Sequence, residues 1–427
     1  MVKRFLTVLC AALFAACGNA GSLSPTTKAP LAPSNAAPGQ GILYRFKGDQ
    51  HRDGQYPDGG LVAVNGTFYG TTAQGGNPNG CKCGTVYRMN AAGKERVLHR
   101  FKGAPDGANP SGSLLAFDGE LYGTTVNGGA DNAGAVFSID PSSGAERIVC
   151  SFKGPDEGDG AKPAAGLIVL DAVLYGATSQ GGSTICSGSS DCGVIFSLTT
   201  SGSERILYAF KGGYEDGGNP IAGLTAMHGR LYGTTSGGGL DAQTCYAGCG
   251  TVFTIGPAGG GYKVLYRFKG GDDGVIPNAS LVTSNGKLYG TTSGGGGAVC
   301  VATGFGCGVV FEVGAFGKER VVHRFTHGIG GSAPNGLIVA GGVLYGTTEA
   351  GGSGECEGYG CGSVFRLSTS GEYYAVLRSF LGSSDGSEPS GTLLDANGTL
   401  YGVTEFGGRC LQRCYVGGFG TVFAVTL

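Results

Sequence analysis

Twelve cysteines and six aspartates recur along this 427-residue chain at spacings that could do chemistry. The cysteines fall in close pairs: Cys81 and Cys83, Cys186 and Cys192, Cys245 and Cys249, Cys300 and Cys307, Cys356 and Cys361, Cys410 and Cys414. Paired thiols can hold zinc or close a disulfide. Zinc fits poorly, because no pair has the C-x-x-C spacing and each pair lies in a different stretch of chain. Short loop disulfides in an oxidising compartment fit better, each contributing about 2–3 kcal/mol. Cys150 has no partner and reads as a small buried apolar side chain.

The aspartates head a D-G-x-x-P element at Asp53, Asp106, Asp159, Asp216, Asp273 and Asp385, with Gly330 in the Asp position before Pro334. As ligand-binding residues they would form a ring of carboxylates around an axial channel, suited to a hard cation such as Ca²⁺ or to a polar ligand. As turn residues, Asp caps its own backbone and Pro fixes the entry to the next strand. Occurrence in nearly every copy favours the turn, since catalysis needs one asymmetric constellation. The five histidines are His51, His99, His228, His323 and His327. His99 and His323 occupy equivalent strand positions where other copies have Tyr44, Cys150, Tyr208 and Tyr266, and read as packing or rim residues. None stands beside an obvious nucleophile. No G-x-S-x-G elbow, H-E-x-x-H or phosphate loop is present. No catalytic residue, metal ligand or cofactor follows from the sequence.

These residues are carried by a repeat. L-Y-G-T-T recurs seven times, 53 to 57 residues apart, at Tyr69, Tyr122, Tyr175, Tyr232, Tyr289, Tyr345 and Tyr401. Each copy is followed by Gly-Gly and then by a G-T-V-F-like segment beginning at Gly84, Gly134, Gly193, Gly250, Gly308, Gly362 or Gly420. L-x-x-F-K-G also occurs seven times, with Phe46, Phe101, Phe152, Phe210, Phe268, Phe325 and Phe380. A fixed period of short β segments and glycine turns predicts a β-propeller. One unit reads as four antiparallel strands: A over Ser113 to Phe117, B over Glu120 to Thr125, C over Gly134 to Asp140 and D over Glu146 to Phe152. The first β motif, Ile42 to Phe46, is an unaccompanied D, and the last, Thr421 to Leu427, is a C without a D. The fold class is therefore all-β, a seven-bladed propeller over residues 41–427. Its N-terminal strand completes the last blade and removes open sheet edges.

The A–B and C–D turns are short, whereas the long B–C and D–A connections emerge on one face. That looped face carries the cysteines and the D-G-x-x-P elements, and binding is expected there. The repeated Tyr reads as packing rather than a sugar platform. The E-R pairs of strand D (Glu95-Arg96, Glu146-Arg147, Glu204-Arg205, Glu319-Arg320) read as a solvated outer edge.

Residues 1–17 read as an export signal: Lys3 and Arg4, an apolar run from Phe5 to Phe14, then Ala15-Ala16-Cys17. The run is too short for a permanent span. Leu13 to Cys17 resembles a lipobox that would lipidate Cys17, with Phe14 as the departure; ordinary cleavage to a soluble protein is the alternative. Residues 18–40, rich in Pro, Ser, Thr and Ala, suit a flexible tether. Net charge is −2 with 14% charged residues, so no basic face invites nucleic acid.

L-Y-G-T-T-x-x-G-G, then G-T-V-F, then L-x-x-F-K-G-x-x-D-G-x-x-P, in that order over about residues 42–427, resembles the GloVer (Gloeobacter/Verrucomicrobia) repeat family of exported bacterial proteins. Ala177, Val403 and the missing sixth Asp are departures in single copies. The resemblance implies a β-propeller-like body with various surface anchors and no particular activity. The expected function is an exported, surface-anchored or secreted monomer that binds a glycan or protein through its looped face without catalysis. The alternatives are a polysaccharide lyase or glycoside hydrolase at the central channel, with Asp53, Asp216, Asp272 and Asp273 as candidate acids, and a structural envelope protein.

Overall fold

The computed structural model of the protein describes residues 41–182, 192–239, 245, 248–297, 300, 306–356, 358–408 and 418–427. The export signal, the linker, Cys17, Cys186, Cys410 and Cys414 lie outside them. Among the described residues no helix is long and apolar enough to cross a membrane.

Seven antiparallel sheets form a ring, each ordered A-B-C-D. In the second blade the strands are Gly107–Phe117, Glu120–Gly128, Ala135–Ile139 and Glu146–Ser151. The A and B strands are longer than their motifs implied because they pair outward as far as Gly107 and Gly128. The Asp118-Gly119 turn joins them with φ of 49° and 82°, the backbone hand that matches strand twist in a two-residue hairpin. In the fifth blade, strand A is split into Gly274–Pro277 and Val282–Ser284. The seventh blade takes its A, B and C strands from Ser387–Ala396, Thr399–Phe406 and Thr421–Thr426, and its D strand from Gly41–Arg45. Gly41 faces Ala424 and Arg45 faces Thr421, so the ring closes as the motif order predicts.

Each blade interface is built from all three repeated motifs. The Gly of L-Y-G lies opposite the Phe of strand C, as Gly123 faces Phe137. That glycine has no side chain because the ring of the phenylalanine covers its Cα; at Gly233 an added Cβ would stand 2.5 Å from Phe253 Cζ. The Phe of L-x-x-F-K-G then meets the strand-C ring of the next blade edge-on. Phe101 meets Phe137 at 5.1 Å and Phe268 meets Phe311 at 4.9 Å, and Phe46 closes the ring against Tyr87 at 5.1 Å. Such pairs contribute about 0.5–1.5 kcal/mol beyond their buried area. The repeated tyrosines pack into the following blade and are at most 8% exposed.

A second lock joins neighbouring blades on the looped side. The glycine that opens each C strand has positive φ and receives the proline of the next blade. At Gly134 (φ 99°), a Cβ would stand 2.5 Å from Pro163 Cδ and 2.6 Å from the Thr125 carbonyl oxygen. The residue before that proline donates its N–H to the carbonyl just before the glycine. Asn109 bonds to Cys83, Ile276 to Cys249, Ala333 to Cys307 and Glu388 to Cys361, over 2.7 to 3.0 Å.

The E-R pairs divide between environments, which corrects the solvated-edge reading. Arg147, Arg205 and Arg320 reach the next blade's C–D turn, as Arg147 does to the Thr200 carbonyl. The glutamates instead turn into the interblade cleft. Burial, then the adjacent Asp53, Asp159 and Asp273, push Glu95, Glu204 and Glu319 up to about 7.

Two outcomes follow from this packing. Gly134→Ala should cost on the order of 3–5 kcal/mol, combining forbidden φ with a backbone clash. Gly119→Ala, with nothing within 4 Å of its Cβ, should cost about 1–2 kcal/mol. Thermal melts would compare them, and equal losses would contradict the lock. The glutamates set a pH dependence. Unfolded glutamate titrates near about 4.3, so the folded state holds these protons more tightly, and stability falls as pH rises from about 4 to about 7. His323, held by burial at about 4, acts oppositely below about 6.5. Tm should therefore be higher at about pH 5.5 than at about pH 8, with the slope flattened in a Glu95→Gln, Glu204→Gln, Glu319→Gln variant. A Tm that climbs across this range would refute the assignment.

Candidate ligand-binding face

Disulfides pin the looped face. Cys81 joins Cys83, Cys245 joins Cys249, Cys300 joins Cys307 and Cys356 joins Cys361. Cys192 is also disulfide-bonded, and its expected partner Cys186 lies outside the described residues, as do Cys410 and Cys414. Cys83, Cys192, Cys249, Cys307 and Cys361 are the residues whose carbonyls hold the next blade. The crosslinks thus steady the contacts that set the blade spacing. Cys150 is free, and burial, then Glu204, push its thiol up to about 12, which makes it a poor nucleophile.

The D-G-x-x-P aspartates stand beside the outermost strands and not around the channel. Asp53 Oδ2 accepts from the Tyr44 hydroxyl and the Lys47 N–H, each at 2.8 Å, and Oδ1 accepts from the Gly54 N–H. Asp216 and Asp273 repeat this with Tyr208 and Tyr266. Asp106 has His99 as its strand partner, and Asp385 has Arg378. Asp159 accepts from the Lys153 and Gly160 N–H groups. Each carboxylate is occupied with its own turn, and the structure leaves the six on separate interfaces. Of the candidate acids, Asp53, Asp216 and Asp273, the last with Asp272 as its chain neighbour, bond to strand-D tyrosines of three different blades.

The axis is built differently. The A strands of successive blades touch, and glycine backbone allows it: a Cβ on Gly391 would stand 2.6 Å from the Gly60 nitrogen. The residue after each proline faces this hub. Asp58 accepts from Ser111 at 3.0 Å, Asn278 donates to Asn335 at 3.0 Å, and Ser390 donates to the Pro57 carbonyl at 3.0 Å. The blades are thereby laced side chain to neighbour around the centre.

Beside the hub, two repeat-equivalent positions vary, and their combination is different in every blade. The residues before the prolines are Tyr56, Asn109, Lys162, Asn219, Ile276, Ala333 and Glu388. All have φ between 51° and 59°, a conformation that costs non-glycine residues about 1–3 kcal/mol each. The residues after L-Y-G-T-T are Ala73, Val126, Ser179, Ser236, Ser293, Glu349 and Glu405. Four acids meet where blades six, seven and one join. Glu388 lies between Ser387 and Pro389, whose partners Phe406 and Thr404 flank Glu405. Pro57, next to Asp58, packs on Gly420 beside the Glu405 carbonyl, and Pro389 packs on Gly362 beside that of Glu349.

Burial is the main cause of the acids' altered titration. It pushes Asp58 up to about 7 and, helped by Glu388, Glu349 up to about 8. Glu405, half-buried, is raised well above the usual range by desolvation and then by Asp58, Glu388 and Glu349. Asp58 Oδ1 is buried without a hydrogen-bond partner. Tyr56 leans on Phe406 at 5.3 Å and lies in the field of Glu405. The arrangement offers protonated and ionised carboxyls beside an aromatic face. It can donate to and accept from hydroxyls, and it can neutralise a cationic group. Sequence reasoning missed these residues. Their signal is departure from the repeat: Glu349 and Glu405 replace Ala, Val or Ser, and Asp58 replaces residues that elsewhere carry no charge.

Several solved structures are similar in overall shape. The computationally designed Ika8 protein is 13% identical, covering 91% of this chain and 100% of its own, with a TM-score of 0.48. An oligogalacturonate lyase from Vibrio parahaemolyticus is 10% identical, covering 93% and 92%, with a TM-score of 0.48. A nidogen/laminin complex chain is 14% identical, covering 74% and 94%, with a TM-score of 0.44. No curated protein matches the sequence. The Gloeobacter/Verrucomicrobia repeat, by contrast, matches residues 34–186 and 182–410. With the motifs in order through seven closed blades, the chain belongs to the Gloeobacter/Verrucomicrobia repeat family.

Proposed function

We propose that this is an exported binding protein that takes a glycan or protein ligand at the hub of its looped face and performs no chemistry on it. One observation carries the reading: the scaffold positions are nearly identical from blade to blade, while the combination of residues at the two positions beside the hub is different in each of the seven. A rigid ring that displays a variable set of side chains is the usual arrangement of a recognition surface. The acids of blades six, seven and one, with Tyr56 and Phe406, form its chemically richest sector. The disulfides support an oxidising compartment. A lipid on Cys17 would place the propeller at the cell surface, with residues 18–40 as the tether.

Glycan and protein arrays test the binding. The informative variant carries Glu349→Ser, Glu405→Ser and Glu388→Asn, residues that other blades already use at these positions. It should keep its Tm within a few degrees and lose about tenfold or more in affinity. Unchanged binding would remove the hub from the interface. A mass spectrum of the native N-terminus should show a diacylated cysteine at Cys17; an unmodified N-terminus further along would rule out the anchor.

A second reading is favoured by the raised acids alone. A carboxyl protonated near neutral pH can serve as a general acid in glycosidic cleavage. Purified protein incubated with oligosaccharides would then release shorter products, and Glu405→Gln would abolish the release. Product-free digests across a broad panel would exclude it.

A further inference from the structure

The interblade clefts are variations on one side-chain arrangement, set by a strand-D residue that is Tyr44, Tyr208 or Tyr266 in three of them and His99, Cys150, His323 or Arg378 in the others. In two clefts a strand-D tyrosine reaches the D-G-x-x-P aspartate and, across the cleft, the glutamate of the next E-R pair. Tyr44 shares its hydroxyl between Asp53 and Glu95, and Tyr266 does the same between Asp273 and Glu319. The single hydroxyl proton sits where two carboxyls converge. In the cleft between the first and second blades the tyrosine is replaced by His99. Its Nε2 lies 3.3 Å from Asp106 Oδ2, and Glu146 completes the set. Glu146 Oε1 is buried and has no hydrogen-bond partner.

Among the described residues this is the one set of three potential metal ligands whose ligand atoms all lie within 4.8 Å of one another. The other strand-D histidine has no such company. His323 stacks on Tyr374 at 4.2 Å, and Gly330 stands where the aspartate would be. An imidazole nitrogen and two carboxylate oxygens facing one small gap form a set of lone pairs that a cation would satisfy. Zn–N and Zn–O bonds of about 2.0–2.2 Å need only a small contraction of the three atoms. The mixed nitrogen and oxygen set selects a first-row transition ion over Ca²⁺ or Mg²⁺, which prefer oxygen alone.

We propose that His99, Asp106 and Glu146 form a divalent transition-metal site, with Zn²⁺ or a neighbouring ion as ligand, that clamps the first blade to the second. Asp106 keeps its turn bonds to the Lys102 and Gly107 N–H groups, which hold the carboxylate in place. His99 supplies Nε2, Glu146 supplies the unpartnered Oε1, and solvent would complete the shell. The side chains of His99 and Asp106 remain 14% and 15% exposed, so an ion has a route in from the rim.

Isothermal titration with ZnCl₂ and CoCl₂, and the visible spectrum of the cobalt form, test the site. The full chain should bind one ion here, raise its Tm on binding, and give the d–d bands of a cobalt centre with nitrogen and oxygen ligands. His99→Tyr installs the residue that three other clefts use, so it should fold normally while losing about tenfold or more in affinity. Glu146→Gln should lose a similar amount. His323→Tyr should bind as the parent does, and CaCl₂ or MgCl₂ should not compete. Absence of saturable zinc or cobalt binding would overturn the proposal, and so would equal affinity in folded His99→Tyr protein.

Discussion

Everything in this propeller depends on how closely one blade may approach the next, and the absence of side chains sets that distance. A glycine opens each C strand, with a carbonyl on one side and the neighbouring blade's proline on the other. Another glycine lies under each strand-C aromatic ring. Where these atoms should touch, a methyl group would already overlap its surroundings. The N–H before each proline adds direction to the contact. Together the two fix both the spacing and the angle of successive sheets, and closure into a ring follows from repetition.

This dependence explains why the architecture was legible in the sequence. The three motifs recur because each supplies one part of the same interface: the bare glycine, the ring that covers it, and the second ring that meets the first edge-on. The lone D strand at Gly41–Arg45 and the missing partner of Thr421–Thr426 could be matched by counting. The assignment of cysteine pairs to disulfides also followed from spacing and is seen at four complete pairs. The aspartates were harder. Their motif showed that they turn the chain, but their distance from the axis depends on where strand D lies in three dimensions.

The candidate site was not legible, and the reason is physical. Reading by repetition finds what the blades share, and what they share is packing. Glu349, Glu388, Glu405 and Asp58 come from three blades and are separated by up to 347 residues in sequence. Only ring closure brings Asp58 next to Glu405. The E-R pairs misled for a related reason. Alternation along an edge strand predicts one face in and one face out, but it does not say that the inward residue meets a carboxylate from the next sheet. The raised proton affinity of Glu95, Glu204 and Glu319 therefore belongs to the assembled ring and not to any blade alone.

Pairing of Gly41–Arg45 with Thr421–Thr426 also constrains the order of events during synthesis. The earliest-made strand of the propeller must wait for the latest-made one. Until then the chain is an open fan with a bare backbone edge at each extremity, and those edges can pair with other chains. Cooperative burial of the final interface comes only once Thr421–Thr426 has been made. A ribosome that stalls within the seventh blade would leave six sheets unable to seal, which makes this closing strand pair the point at which the propeller commits to its native state.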